Sequence, residues 1–234
     1  MNDGFVPLPA PLTSPDLTAG LSGRTKRNPL PMPTDPVVVP GRLIHELTSI
    51  TDRVDLAALF PSPAPIEVEL GAGDGSFLVN IAAHHPARHF VGIERLKGRL
   101  GKIDRKGQRA GLSNLRVIRI EAAYFLEYLA PPGSLEALHV YFPDPWPKQR
   151  HRSRRLIGNR FPALAAEALA PEGTVYLRTD DPGYHAQMLT VFGGEQRFKA
   201  VETPAELAAM VTDFERDFNQ AGIPTRRAAF RKCG

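Results

Sequence analysis

The chain has 234 residues, 42% hydrophobic and 23% charged, ordinary proportions for a globular protein and enough length for a substantial core in one domain. No apolar run approaches the roughly 20 residues that span a bilayer, and no apolar stretch follows a basic one at the amino terminus, which argues against a membrane partner and a secretory signal. Lysine and arginine outnumber aspartate and glutamate by only 29 to 25, and one thiol, Cys233, excludes an internal disulfide and fits a cytoplasmic location.

In chain order, residues 1–40 come first, with nine prolines and few large apolar side chains. They are expected to form an extended or disordered arm ahead of a single domain over 41–234. Arg24, Lys26 and Arg27 give this arm a basic spot that suits a nucleic acid backbone or simple solubility. Leu43–Phe60 has helical spacing. Five β-type runs follow, at Ile66–Leu70, His89–Glu94, Leu115–Ile120, Ala137–Phe142 and Thr174–Thr179. Helical segments separate or follow them, near Ser76–His84, Leu96–Ala110, Ala123–Leu129, Leu156–Ala170 and Tyr184–Phe192. Alternation at this spacing predicts an α/β fold, a mostly parallel central sheet with helices on both faces. In such sheets ligands sit beyond the carboxyl ends of the strands.

The first strand end carries "VELGAGDGSFL". Gly71, Gly73 and Gly75 allow a tight turn and close approach of a ligand to the backbone. Glu69 precedes the turn, where a carboxylate can meet a positive ligand group. Glu94 closes the next strand, where a carboxylate can take both ribose hydroxyls. The glycine spacing is not that of a dinucleotide site, and there is no P-loop. Ribose, adenine and a cationic amino-acid tail fit this set of acids, and S-adenosylmethionine is that ligand. The chain thereby resembles the class I methyltransferases, which have a Rossmann-like fold. On that reading Glu121, ending the third strand, lies near the adenine.

Positive charge is clustered. Arg95–Ala110 holds seven basic residues against Asp104, and Pro145–Ala166 holds no acid but carries Lys148, Arg150, Arg152, Arg154, Arg155 and Arg160. Such clusters suit a polyanion. The second grows out of "YFPDPWPKQRHRSRRL", a proline-stiffened corner around Asp144 at the end of the fourth strand.

The string "FPDPWPKxRHxxRR" is similar to the signature of the tRNA (guanine-N7)-methyltransferases. The resemblance runs from about Glu67 to Lys232 and includes "RTDDPGY" and "TDFE". It implies that Glu69, Gly71, Gly73, Glu94, Glu121 and Asp144 line the S-adenosylmethionine site, with Asp144 also the catalytic candidate. It implies that Lys148, Asp180, Thr212, Asp213, Phe214 and Glu215 contact the guanosine. Gln149, Arg150, His151, Arg152, Ser153, Arg154 and Arg155 are then the residues along the tRNA. Glu121 departs from the pattern, which has aspartate there. No metal and no obligate protein partner is implied.

Competing readings are a methyltransferase acting on an exocyclic amine of RNA or DNA, and a non-catalytic tRNA-binding protein. Bland readings also attach to single residues. Trp146 between prolines reads as a structural wedge, and Tyr124 and Tyr128 read as helix packing. His84, His85 and His89 match no metal spacing. Thr212 with Glu215 forms a helix capping box.

Overall fold

The computed structural model describes residues 41–234, so the expected amino-terminal arm lies outside the described residues. The apolar runs pair into an eight-stranded sheet. In chain order its elements are β1 (Ile44–His45), β2 (Ile66–Leu70), α1 (Ser76–His84), β3 (His89–Ile93), α2 (Lys97–Arg109), β4 (Leu115–Ile118), α3 (Ala122–Tyr124, continued by a π turn over Phe125–Leu129) and β5 (Leu135–Tyr141). A 3-10 turn over Gln149–Arg154 leads to α4 (Phe161–Ala168), β6 (Leu169–Thr179), α5 (Pro182–Gly193), β7 (Phe198–Val201), α6 (Ala205–Ala209), α7 (Asp213–Gln220) and β8 (Arg226–Lys232). The strand order is β1-β4-β3-β2-β5-β6-β8-β7. All neighbours run parallel except β8, which is antiparallel to both β6 and β7.

The order reverses between β2 and β5, and a crevice opens beyond their carboxyl ends. Side-chain alternation decides what each face receives. Val68 and Leu70 of β2, with Leu138 and Val140 of β5, join Phe125, Phe161, Met188 and Phe192 in one core. Phe77, Leu78, Phe90, Leu100, Ile103 and Tyr141 form the core on the other face. The intervening residues Glu67, Glu69 and His139 are buried, and period two puts them on the second face with Tyr141. Burial of each large apolar side chain contributes about 1.5–3 kcal/mol.

Helix α1 must lie close to the sheet to cover these polar groups. A Cβ on Gly92 would stand 2.4 Å from Leu78 Cδ2. At Gly75, φ is +78° and a Cβ would stand 2.8 Å from Ile103 Cγ1. Gly75→Ala is therefore expected to destabilise the protein by about 1–3 kcal/mol through combined strain and overpacking. Thermal melting checks this, and an unchanged midpoint would contradict it.

The expected helix over Leu43–Phe60 does not form. Leu43 is buried on the second face, whereas Val54, Leu56 and Phe60 are buried on the first. Side chains that enter opposite faces of a sheet cannot share one helical stripe. The backbone is taken up elsewhere: the Leu43 N–H donates to Asp104 Oδ1 at 2.7 Å, and the Val54 N–H donates to the Leu129 carbonyl at 2.9 Å. Ser49 Oγ accepts from the Thr51 and Asp52 N–H groups, a local alternative to helix. Helix α4 starts only at Phe161, after the expected Leu156, because residues 155–157 are tied to α5: the Ile157 N–H donates to the Tyr184 hydroxyl at 2.9 Å.

Candidate active site

The turn after β2 makes one wall of the crevice. Gly71 and Gly73 have φ of +80° and +57°. The N–H groups of Gly71 and Ala72 donate to the Ile93 carbonyl at 2.9 and 3.0 Å, so the turn is clamped to the end of β3. Among the described residues an added Cβ would meet nothing within 4 Å at Gly71 and nothing nearer than 3.9 Å at Gly73, leaving backbone open to a ligand. Two adjoining clefts, of about 390 and 170 Å³, share Gly71, Arg99, Tyr141, Phe142 and Asp144.

Carboxylates sit at successive strand ends. Glu69, 4% exposed, lines the smaller cleft, and its Oε2 has no hydrogen-bond partner among the described residues. Burial pushes its carboxyl up to about 8; Arg178 pulls it back, while Asp74 and Glu94 push the same way as burial. A buried, unpartnered carboxylate is costly unless a donor or cation reaches it. Glu94 accepts from the Gly73 N–H at 3.0 Å and from the Leu96 N–H at 2.8 Å, with Arg99 Nη1 at 3.7 Å. Two accepted bonds leave lone pairs free for further donors. Glu121 is exposed in the larger cleft, where its Oε2 caps α3 by accepting from the Tyr124 N–H at 2.8 Å. Asp74 is held by Lys106 at 2.7 Å.

The corner after β5 makes the opposite wall. Phe142 and Trp146 have φ of +50° and +41°, a backbone state that ordinary residues adopt only when their surroundings enforce it. Here the Phe142 N–H donates to the Arg178 carbonyl at 2.8 Å, and Arg155 Nε donates to the Pro145 carbonyl at 2.7 Å. The corner leaves Asp144 exposed on the rim shared by both clefts. Trp146 is half-buried against the larger cleft, with the Arg154 guanidinium 5.1 Å from its ring centroid.

The segment before α7 closes the smaller cleft. Thr212 and Phe214 line it, and Phe214 is 53% exposed. Thr212 Oγ1 accepts from the Glu215 N–H at 3.0 Å, and the Asp213 N–H donates to Ser76 Oγ at 3.3 Å. Beneath them Arg178, from the end of β6, is buried. It donates to the carbonyls of Met210 and Leu207 and, at 2.9 Å, to Glu215 Oε2. Arg227 of β8 holds the other Glu215 oxygen.

A family model described as "Putative methyltransferase" matches residues 63–228. The tRNA (guanine-N7)-methyltransferase of Nitrosomonas eutropha is 36% identical over 185 residues, covering 77% of this chain and 82% of that protein. The chain belongs to the tRNA (guanine-N7)-methyltransferase family. The correspondingly named protein of Methylococcus capsulatus is 43% identical over 140 residues, 60% of this chain and 61% of that one. The Bordetella pertussis protein is 41% identical over 142 residues, and only 56% of its length is matched. Among solved structures, the 16S rRNA methyltransferase KamB superposes with a TM-score of 0.55 at 17% identity, covering 78% of this chain and 95% of that one. TrmN from Thermus thermophilus gives 0.52 at 18% identity, covering 76% and 46%. These likenesses show the class I methyltransferase fold.

Within this methyltransferase the residues singled out from sequence divide into groups. Glu69, Gly71, Gly73, Glu94, Glu121, Asp144, Thr212 and Phe214 all line or frame the two clefts. Lys148, Gln149, Arg150, Arg152, Ser153 and Arg154 are exposed on the turn beyond Asp144, with His151 half-buried among them. Asp180 follows β6 half-buried and outside both clefts, with its carbonyl accepting from Arg226 at 2.9 Å. Asp213 is half-buried and paired with Arg216 at 2.9 Å.

Two of these residues turn inward. Arg155 is 6% exposed, stacks 4.6 Å from the Tyr184 ring centroid and donates to Gln187 at 2.8 Å. It anchors the corner rather than the exposed ribbon. Glu215 is fully buried between two arginines and does not face the clefts. The capping box is also half-formed, since Thr212 caps Glu215 while the Glu215 carboxylate goes to the arginines.

The sequence reading missed Arg99, Tyr141, Phe142 and Arg178. Tyr141 and Arg178 lie at the carboxyl ends of β5 and β6, where the general rule for such sheets places function. Tyr141 walls both clefts, and its ring lies 4.2 Å from the Arg178 guanidinium. Burial pushes its phenol well above the ordinary pKa despite Arg178, so the ring remains neutral. His139 bridges the Tyr141 hydroxyl and Glu67, each at 2.8 Å, and fixes that ring from behind.

Proposed function

We propose that this chain transfers a methyl group from S-adenosylmethionine to N7 of a guanosine in tRNA, forming 7-methylguanosine. The target expected from the resemblance is in the variable loop. One observation carries the reading: Asp144 stands on the rim common to both clefts, and the exposed basic turn begins four residues later at Lys148. A base delivered on a polyanion needs both features side by side. Phosphate contacts position the RNA while the rim carboxylate meets the base. Names of relatives that match over much of the chain support the same reaction.

S-adenosylmethionine supplies an electrophilic methyl on a positively charged sulfur. The unpartnered Glu69 oxygen and the open backbone at Gly71 and Gly73 suit its cationic amino-acid end, and Glu94 and Glu121 suit its ribose and adenine. Guanine N7 presents an in-plane lone pair and no proton. Displacement therefore requires no general base, in keeping with two clefts that neither histidine nor lysine lines among the described residues. Holding two reactants in line can contribute about 7–11 kcal/mol. Asp144 can accept from the guanine N1–H and amine, and its charge offsets the positive charge that methylation leaves on the ring. Arg99 and Arg154 flank the rim, and Asp180 and Asp213 lie farther out as guanosine contacts.

The test is transfer of labelled methyl to unmodified tRNA, followed by digestion and nucleoside chromatography. Label in 7-methylguanosine supports the reading. Label in an N-methylated amine would keep the fold and overturn the substrate assignment; tRNA binding without label would favour a non-catalytic binder. The exposed basic turn further predicts that tRNA affinity falls as salt rises, by about 0.7–0.9 log units per tenfold salt for each phosphate neutralised. Affinity unchanged between 50 and about 200 mM salt would remove that role.

Glu69 adds a pH dependence. With its carboxyl raised to about 8, the free protein holds Glu69 largely protonated at pH 6–7.5. A cationic ligand favours the carboxylate, so binding releases a proton and affinity rises with pH, by up to about tenfold per unit. Calorimetric titration of S-adenosylmethionine at pH 6 and 7.5 checks this. Glu69→Gln is expected to weaken binding and flatten the dependence; equal affinity for the wild type at both pH values would sink the idea.

A further inference from the structure

A third cleft, of about 400 Å³, lies on the far side of the basic turn. Its floor is apolar, from Leu126 of the π turn and from Phe161 and Leu164 of α4. Its rim is polar, with Arg152, Asn159 and Arg160. Leu156 lines both this cleft and the larger one beside Asp144, so a chain of nucleotides crossing the rim can continue into it. Resting on the proposed tRNA reading, we propose that this cleft seats an unstacked nucleotide of the RNA substrate next to the one being methylated.

The chemistry of the cleft matches that occupant. Single-stranded RNA is recognised by laying bases on apolar or aromatic surface while basic side chains hold the neighbouring phosphates. Arg152 is exposed and enters no ion pair among the described residues. Arg160 is 75% exposed at its side chain and pairs with Glu127 at 2.5 Å. An exposed pair of this kind is weak, so Arg160 can exchange Glu127 for a phosphate at little cost. The π turn shapes one wall: Phe125, Leu126 and Leu129 are buried, Glu127 is half-buried and lines the cleft, and Tyr128 is 48% exposed. π segments are irregular and recur at functional sites. The volume falls within the roughly 300–1,000 Å³ of ligand sites.

Two variants test this. Ala123 is an exposed residue on the wall of this cleft and lines neither of the other two, so Ala123→Trp fills the space without touching charge. Arg160→Ala removes a phosphate partner without filling anything. Binding of unmodified tRNA by fluorescence anisotropy is expected to weaken about tenfold in Ala123→Trp. Arg160→Ala should weaken it and reduce the slope of log affinity against log salt by about 1. Affinity for S-adenosylmethionine and the melting temperature should stay at wild-type values in both. With 4-thiouridine-substituted tRNA, photocrosslinks are expected on residues 123–129 or 156–164 as well as on the basic turn. Wild-type tRNA affinity in both variants, or crosslinks confined to 141–155, would overturn the site. If Ala123→Trp fails to fold, Arg160→Ala and the crosslinks still decide. Failure of the tRNA reading itself would appear in the wild-type protein, as absent binding or absent 7-methylguanosine, rather than in the variants alone.

Discussion

Replacing Asp144 by alanine is expected to reduce methyl transfer to tRNA by about 10²–10³-fold, the cost of removing one group aimed at charge developing in a transition state. Asp144 lies where both clefts meet, and the corner that presents it is over-determined. The Phe142 N–H and Pro145 carbonyl are each tied to a buried arginine's residue, Arg178 and Arg155. Removing the exposed Asp144 side chain leaves those ties intact, so the melting temperature should not move. Single-turnover rates at saturating donor and tRNA give the measurement. Near-normal turnover with intact folding would remove Asp144 from the chemistry. Asp144→Asn helps apportion the loss: an amide still accepts a hydrogen bond but does not offset the ring's positive charge.

Glu215→Gln should instead act on stability. Glu215 is 0% exposed, and its carboxylate is shared by Arg178 and Arg227, with Arg178 itself 2% exposed. Glutamine can fill the volume and its N–H still donates to Thr212, so the cap survives. The charge does not, and a guanidinium buried without its counter-ion costs about 3–5 kcal/mol. For a chain of this size that corresponds to a fall in melting temperature on the order of 10 °C. Activity should fall with it, because the same arginine holds the Leu207 and Met210 carbonyls in the segment that closes the smaller cleft. A shift under about 2 °C, well inside what 1 kcal/mol produces, would show that the triad carries little stability.

The contrast between Asp144 and Glu215 separates what was legible in the sequence from what was not. Both are acids in family-like motifs, from which the resemblance implies a catalytic role for Asp144 and a guanosine contact for Glu215. Asp144 sits in a proline-rich corner whose direction is set by residues a few positions away. The orientation of Glu215 depends on Arg178, 37 residues distant, and on Arg227 of the antiparallel strand β8. The same holds for Arg155. Its neighbours along the chain are exposed basic residues, yet the Tyr184 ring and Gln187 of α5 draw it inside. No local pattern distinguishes it from Arg154.

The sequence by itself determined the alternation of strands and helices, the glycine turn after β2, and the acids and proline corner at successive strand ends. These rest on periods of two and 3.6 residues and on turn chemistry, which act over a few positions. Only the tertiary structure decided that Leu43–Phe60 is not a helix, because its apolar residues are divided between the two faces of the sheet. It also decided that β8 turns antiparallel beside β6, that Tyr141 walls the site with Arg178 buried against its ring, and that Glu215 and Arg155 face inward. Each of these outcomes depends on a partner far along the chain, and burial with that partner outweighs the local preference.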